Sequence, residues 1–255
     1  MCAFHVIDCM KKSFGSLEQG KRAQPAPTQY IGGGDYSSAR SPHGRGGARN
    51  DANRTSTTLS LRQCQTVWAA AHYSIAIGLP LNRFITINWT TAKVDDVCAA
   101  LTTYLCRVGD WLRNRGVGLA YVWVHETTGG RHTHLILHVP PSHGDAFGKF
   151  HRRWLRSVGV QSAKGAIHTR AVGASYYLSA ASPHHHLANL TTATQYILKE
   201  AAPEARHYAG RFEPEGQSWP SVVGKRCGVS MALGPQARAK VRFAPPPPSP
   251  SLCAL

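Results

Sequence analysis

Two histidines separated by one residue, His132 and His134, are the side chains in this sequence most suited to chemistry. Successive side chains of an extended strand point to opposite faces, so these two imidazoles would share one face while Thr133 takes the other. The apolar residues that follow, to position 139, predict a half-buried strand. Two imidazoles fixed on one strand can bind a divalent cation, which is most useful where a phosphate must be polarised.

Local sequence patterns predict the elements that must position this pair. Alternating β-rich runs predict strands at residues 84–90, 119–125, 132–139 and 166–172. Helical spacing predicts helices at residues 61–77, 94–115, 145–158 and 191–202. A Thr-Thr-Gly-Gly turn at 127–130 joins two of the strands as a hairpin. We therefore expect an α+β fold, with a central, mainly antiparallel sheet and helices packed on it.

The charge of the chain indicates a polyanionic partner. Its 255 residues include 29 Lys plus Arg and 13 Asp plus Glu, which gives a net charge of +16. Nucleic acid is the leading partner, because its phosphates attract such a surface whatever the base sequence. The alternative is that the chain is itself a basic ribosomal or membrane-surface protein. Seven cysteines without a Cys-x-x-Cys pair predict reduced thiols in a cytosol. The sequence contains no run of about 18 consecutive apolar residues, so no membrane span is predicted.

Composition divides the chain into three parts. Residues 1–58, rich in Gly, Ser, Pro and Arg over their second half, predict a flexible basic arm. Residues 59–212 contain the predicted helices and strands and form the expected catalytic domain. Residues 213–255 predict a basic, Pro-rich tail, because the prolines at 245–248 and 250 cannot continue a helix or a central strand.

Three segments occur in an order that resembles a known enzyme family. An apolar strand containing threonine at 84–90 precedes His-Thr-His at 132–134, and Tyr-Ile-Leu-Lys follows at 196–199. This order resembles the HUH endonucleases, specifically the rolling-circle replication initiators, with their apolar-Thr strand, His-x-His and Tyr-x-x-Lys motifs. Conjugative relaxases place the tyrosine before the histidines, whereas initiators and related single-tyrosine transposases place it after them. The resemblance covers about residues 82–203 and implies that residues 59–212 are an HUH-type nicking domain; Thr133 stands where the family usually has a bulky apolar residue.

The resemblance implies a divalent cation, Mg²⁺ or Mn²⁺, bound by His132, His134 and Glu126. Glu126 precedes the predicted turn and His132 follows it, so a carboxylate and two imidazoles can converge across paired strands. Ligand preference for this mixed set favours Mn²⁺. His138 lies on the same strand face as His134; it could replace a ligand, but we rank a structural or ligand-supporting role higher.

The resemblance also implies that Tyr196 attacks a DNA phosphate, giving a 5′-phosphotyrosine and a free 3′-hydroxyl. Lys199, three residues further along the predicted helix, would share its face and could stabilise phosphate charge or orient the phenol. Tyr176 and Tyr177 are rival nucleophiles, because some HUH enzymes have two tyrosines. Adjacent helical residues diverge by about 100°, however, which favours Tyr196. The histidines at 184–186 are interpreted as part of a solvated loop.

The expected function is therefore a metal-dependent, site-specific single-strand DNA endonuclease and strand transferase. It would initiate rolling-circle replication of a plasmid or phage in the cytoplasm of a bacterial host. Expected partners are single-stranded or supercoiled origin DNA and a host helicase and polymerase, with no membrane. The helix after the metal strand carries three further residues expected to bind DNA, Arg152, Arg153 and Arg156. Two alternatives stay open, a single-tyrosine transposase of an insertion element and a non-catalytic nucleic-acid-binding protein of the same fold.

Overall fold

A computed structural model describes residues 54–156, 160, 164–212, 219–246 and 248, with Arg152 described by its backbone alone. Most of the predicted N-terminal arm, residues 1–53, lies outside this part of the chain. The helices are α1 (Leu61–Ala76), α2 (Trp89–Ala92), α3 (Val97–Arg113), α4 (Gly144–Arg156), α5 (Leu178–Ala181), α6 (Pro183–Ile197) and α7 (Pro235–Lys240). The strands are β1 (Thr55–Ser56), β2 (Arg83–Asn88), β3 (Tyr121–Glu126), β4 (His132–Leu137), β5 (Ile167–Ala171), β6 (Val222–Val223) and β7 (Cys227–Val229).

Five of these strands form one antiparallel sheet, which confirms the predicted α+β class. The strand order is β5-β2-β4-β3-β7, so β4, with the histidine pair, is the central strand. β1 and β6 form a separate antiparallel pair. The hairpin between β3 and β4 turns at Gly129 and Gly130, whose φ angles of 72° and 117° are rarely adopted by other residues.

Helices cover both faces of the sheet. On the first, which we call the α6 face, Phe84, Val124 and Ile136 pack with buried residues of α1 and α6. On the second, which we call the α3 face, Ile85 and Leu135 pack with buried residues of α3 and α4. Because side chains alternate along a strand, the histidines of β4 share the α6 face with Ile136.

α6 begins earlier than the sequence predicts. The predicted start was near residue 191, but the helix begins at Pro183, so the histidines at 184–186 occupy its first turn. Proline suits this position because the first turn needs no intrahelical N–H bond and the ring already fixes a helical φ. The interpretation of these histidines as a solvated loop is therefore wrong, and His186 is buried.

α6 also ends earlier than predicted, at Ile197 rather than near residue 202. The chain leaves the helix to pair with Leu59, whose N–H donates to the carbonyl of Glu200 at 2.8 Å. The carbonyl of Leu59 in turn accepts from the N–H of Ala202 at 2.8 Å. Lys199 therefore lies in the turn after the helix and not on its face. β2 likewise stops at Asn88, short of the predicted end, because this residue caps α2.

Residues 219–246 contribute to the fold, unlike the predicted extended tail, whereas residues 213–218, 247 and 249–255 lie outside the described residues. β7 pairs with β3 and forms an edge of the sheet. Gly228 is required there, because a Cβ atom at this position would lie 2.7 Å from the Trp123 ring. Further on, the carbonyl of Pro246 accepts a hydrogen bond from the indole N–H of Trp68 at 3.1 Å. The sheet thus extends past the boundary predicted at residue 212.

Thr133, between the two histidines, is buried on the α3 face and joins two other polar side chains. The indole N–H of Trp89 donates to Thr133 Oγ1 at 2.6 Å. The same oxygen lies 2.7 Å from His125 Nδ1. Burial lowers the pKa of His125 to about 3, so its ring is neutral and can accept the threonine hydroxyl proton. A bulky apolar residue could make neither contact, which explains the threonine at this position.

Candidate active site

The strand register places the expected metal ligands in neighbouring positions on the α6 face. Glu126 lies directly opposite His132 across the β3–β4 pair, and Asn88 lies opposite His132 on the β2 side. One step further along β4, His134 lies opposite Thr86. Directly opposed residues of antiparallel strands have Cβ atoms about 4.5–5.5 Å apart, so these side chains are within mutual reach.

Glu126 is the centre of this group of side chains. Its Oε2 atom lies 2.7 Å from His134 Nε2 and also accepts a hydrogen bond from the Lys199 ammonium. Burial alone would raise the pKa of Glu126, but His134 and Lys199 together lower it to about 2. Burial would likewise lower the pKa of Lys199, but the carboxylate outweighs it and raises that pKa. The Glu126 carboxylate and the Lys199 ammonium are therefore both charged at neutral pH. Burial lowers the pKa of His134, so its imidazole is neutral and donates an N–H to the carboxylate.

The Asn88 amide determines which ring nitrogen of His132 carries the proton. Asn88 Oδ1 accepts the backbone N–H of Thr91 at 2.8 Å, which leaves Nδ2 as the atom 3.1 Å from His132 Nε2. An amide nitrogen can only donate, so Nε2 carries the lone pair. Burial lowers the pKa of His132, which keeps the ring neutral. A neutral imidazole with an unprotonated nitrogen is the form that binds metals.

Tyr196, in the last turn of α6, packs against His134 of the histidine pair. Its ring centroid lies 5.3 Å from that of His134 and 5.9 Å from that of Phe84. The Lys199 ammonium lies 4.1 Å from the centre of the Tyr196 ring, within the range of a cation–π contact. The structure thus brings together the five residues expected to act at the metal and at the phosphate, namely His132, His134, Glu126, Tyr196 and Lys199.

The donor atoms suit a divalent cation, although the side chains are not arranged around one. No group of three or more His, Cys, Asp or Glu residues in the described part of the chain forms a metal site as it stands. His134 Nε2 and Glu126 Oε2 share a proton, where two ligands of one cation would each need a lone pair. Thr86 Oγ1 lies 3.1 Å from His134 Nδ1, and a hydroxyl can accept as well as donate. His134 can therefore hold its proton on Nδ1, which leaves its Nε2 and Glu126 as donors for a cation. His132 Nε2 is the third donor once the Asn88 amide gives up its hydrogen bond to it.

The predicted DNA-binding arginines do not join this site. Arg153 and Arg156 are exposed on α4, whose buried residues Phe147 and Leu155 pack on the α3 face. They lie on the side of the sheet opposite to the histidine pair. The side chain of Arg152 lies outside the described residues.

The remaining sequence candidates make their contacts elsewhere. His138 Nδ1 donates to the carbonyl of Pro80 at 2.8 Å, which agrees with a structural role. The Tyr176 ring packs against the guanidinium of Arg83, 3.9 Å from its central carbon. Tyr177 is 53% exposed, directly before α5. Of the three candidate tyrosines, Tyr196 is the one whose described contacts include His134.

Four residues near the site were not predicted from the sequence, namely Thr86, Asn88, Arg170 and Arg226. Thr86 and Asn88 could have been predicted, because alternation along the predicted strand places them on one face. Arg170 could not have been predicted, since its position depends on the pairing of β5 with β2. The position of Arg226 was not predictable either, because this buried residue forms a long-range ion pair with Glu200, which follows Lys199 directly.

Comparison of the chain with protein-family models, curated proteins and solved structures finds no match. Among the described residues, no helix has both the length and the apolar character needed to cross a bilayer.

Proposed function

We propose that this chain contains an HUH-type nicking domain, which cleaves one DNA strand with Tyr196 and initiates rolling-circle replication. The observation that carries the proposal is the contact of Tyr196 with His134, beside the buried Glu126–Lys199 pair. It puts a nucleophile next to a set of donors suited to a phosphate-polarising cation. The net charge of +16 supports DNA as the partner.

Tyr196 is the nucleophile in the proposed reaction. Its phenol oxygen attacks the phosphorus of a phosphodiester, a bond forms between these atoms, and the bond from phosphorus to the 3′ oxygen breaks. The phenol proton is lost to solvent, and the released 3′ oxygen takes up a proton to become a hydroxyl. The 5′ phosphate stays covalently attached to Tyr196, so a second 3′-hydroxyl can reverse the step and join strands without ATP.

The residues around Tyr196 would stabilise the negative charge that develops during the reaction. His132, His134 and Glu126 would hold Mg²⁺ or Mn²⁺, which when bound draws charge from the non-bridging oxygens of the phosphate. Lys199 contacts both Glu126 and the Tyr196 ring, so its ammonium can stabilise negative charge on the phenol oxygen.

The order of the motifs supports a replication initiator or a related transposase over a conjugative relaxase. The tyrosine follows the histidine pair, as in replication initiators and single-tyrosine transposases, whereas relaxases place it before the pair. The free 3′-hydroxyl left by the reaction can prime a host polymerase while a host helicase separates the strands. The DNA would be a single-stranded or supercoiled origin.

The test is capture of the covalent intermediate. We would incubate the protein with Mn²⁺ and a pool of random-sequence, single-stranded oligonucleotides labelled at the 3′ end, followed by denaturing electrophoresis. The label must be at the 3′ end because the downstream fragment becomes attached. We expect an adduct with wild type and with the Tyr177→Phe control, and none with Tyr196→Phe.

Two results would contradict the proposal in different ways. An undiminished adduct with Tyr196→Phe would remove this residue as nucleophile. DNA that is shifted in native gels but never attached would indicate a binding protein of the same fold.

His132→Ala and His134→Ala should abolish the adduct while keeping most salt-sensitive DNA affinity, and normal cleavage by either would overturn the metal site. Sequencing the captured DNA would give the preferred cleavage sequence. The location of that sequence in the source DNA, at a replication origin or at the end of a mobile element, would distinguish an initiator from a transposase.

A further inference from the structure

Arg170 places an additional positive charge beside the proposed nucleophile. It lies on β5, directly opposite Phe84 of β2, and therefore on the α6 face. The central carbon of its guanidinium lies 4.6 Å from the centre of the Phe84 ring. The same ring lies 5.9 Å from Tyr196 and 5.5 Å from His134. Phe84 thus connects the guanidinium to both the tyrosine and the histidine pair.

The charge of Arg170 has no acidic partner within the described residues. The structure records neither an ion pair nor a hydrogen bond for its guanidinium there, in contrast to the buried Arg226 with Glu200. Burial lowers the pKa of Arg170, and Tyr196 opposes this shift. Arginine stays protonated in proteins, so a half-buried cation remains to be compensated.

The geometry favours a phosphate as the compensating group. A guanidinium stacked on an aromatic ring keeps its N–H groups free at the edge, where they can bind a phosphate through two parallel hydrogen bonds. β5 is an edge strand of the sheet, and His168, two residues before Arg170 on the same face, is exposed. A DNA strand can therefore approach Tyr196 along this edge.

We infer that Arg170 binds the scissile phosphate beside Tyr196 and stabilises its negative charge during the attack, an inference that rests on the proposed nicking function. This gives the site a fixed cation in addition to the metal ligands. Arg170 differs in this respect from Arg153 and Arg156, which lie on the other side of the sheet and cannot reach the same phosphate.

The test compares Arg170→Met and Arg170→Lys with a matched control, Arg107→Met. Arg107 is exposed on α3, on the α3 face of the sheet, and its replacement removes the same charge. Thermal unfolding establishes that each variant is folded. Two quantities are then measured with a fluorescent single-stranded oligonucleotide captured by the wild type. They are the slope of log affinity against log salt concentration and the rate of adduct formation at saturating DNA.

Loss of one phosphate contact should reduce the salt slope of Arg170→Met by about 0.7. The adduct rate should fall by about 100-fold, because a donor to developing charge is removed. Arg170→Lys should recover part of both, since an ammonium keeps the charge without the paired hydrogen bonds. The control should match wild type.

Equal effects of Arg170→Met and Arg107→Met on both quantities would overturn the inference. A smaller salt slope with an unchanged adduct rate would overturn the placement of Arg170 at the scissile phosphate. If the wild type forms no adduct with the random pool, the nicking function fails. A random-sequence oligonucleotide then replaces the captured one, and the salt slope alone decides whether Arg170 binds a DNA phosphate.

Discussion

Stability measurements on the buried Glu126–Lys199 pair test the centre of the site without assuming any activity. Their side chains are 9% and 15% exposed. Glu126→Gln keeps the shape of the side chain and leaves the Lys199 ammonium without its carboxylate; Lys199→Met leaves the carboxylate without its ammonium. Removing one partner of a buried pair costs about 3–5 kcal/mol, because an uncompensated charge stays buried. Combining both changes removes both charges, so the double variant should be more stable than the sum of the single effects predicts.

The pKa of Glu126 gives a magnitude that agrees with this range. A fall from 4.5 to about 2 corresponds to about 3 kcal/mol of stabilisation of the charged form, at about 1.4 kcal/mol for each pKa unit. His134 supplies part of this stabilisation and Lys199 another part. We therefore expect a coupling free energy of about 2 kcal/mol between Glu126 and Lys199 in a double-mutant cycle.

The assay is urea unfolding at neutral pH in the absence of divalent metal, applied to wild type, both single variants and the double variant. The exposed pair of Asp110 and Arg113, 2.9 Å apart, supplies a matched control cycle. Its coupling should not exceed about 0.5 kcal/mol, because solvent screens exposed pairs. If the Glu126 and Lys199 effects add to within about 0.5 kcal/mol, the buried ion pair is not formed in solution and the reasoning fails.

Two further predictions follow from polar groups on either face of the sheet. Thr133→Val should lower the free energy of unfolding by about 2–4 kcal/mol, because Trp89 and His125 each lose a buried partner. Thr133→Ser should keep most of the wild-type stability in the same urea assay, and a fully stable valine variant would contradict the contacts. Acid unfolding should reveal Glu126: its pKa is lower in the folded than in the unfolded chain, so the stabilisation is present above pH 4.5 and is lost as the pH falls to about 2. Wild type should therefore lose about 3 kcal/mol more than Glu126→Gln across that range, and parallel pH profiles would refute the assignment.

Local patterns predicted the central hairpin and the elements around it. The alternation of apolar residues in β2, β3 and β4 and the two glycines of the turn are properties of short segments, which act before distant parts of the chain meet. They placed His132 and His134 on one face and Glu126 across the turn from them. The end of α6 was not predictable in this way, because the chain leaves the helix to pair with Leu59, far away in sequence.

The sequence by itself determined which side chains share a strand face, because a period of two residues is built into the extended backbone. Only the tertiary structure decided what those side chains meet. α6 packs on the α6 face and brings Tyr196 to His134, the turn after it directs Lys199 to Glu126, and β5 pairs with β2 and brings Arg170 to Phe84. These contacts join residues about 60 to 90 positions apart, and no local periodicity encodes them, because they arise from the burial of apolar faces against one another.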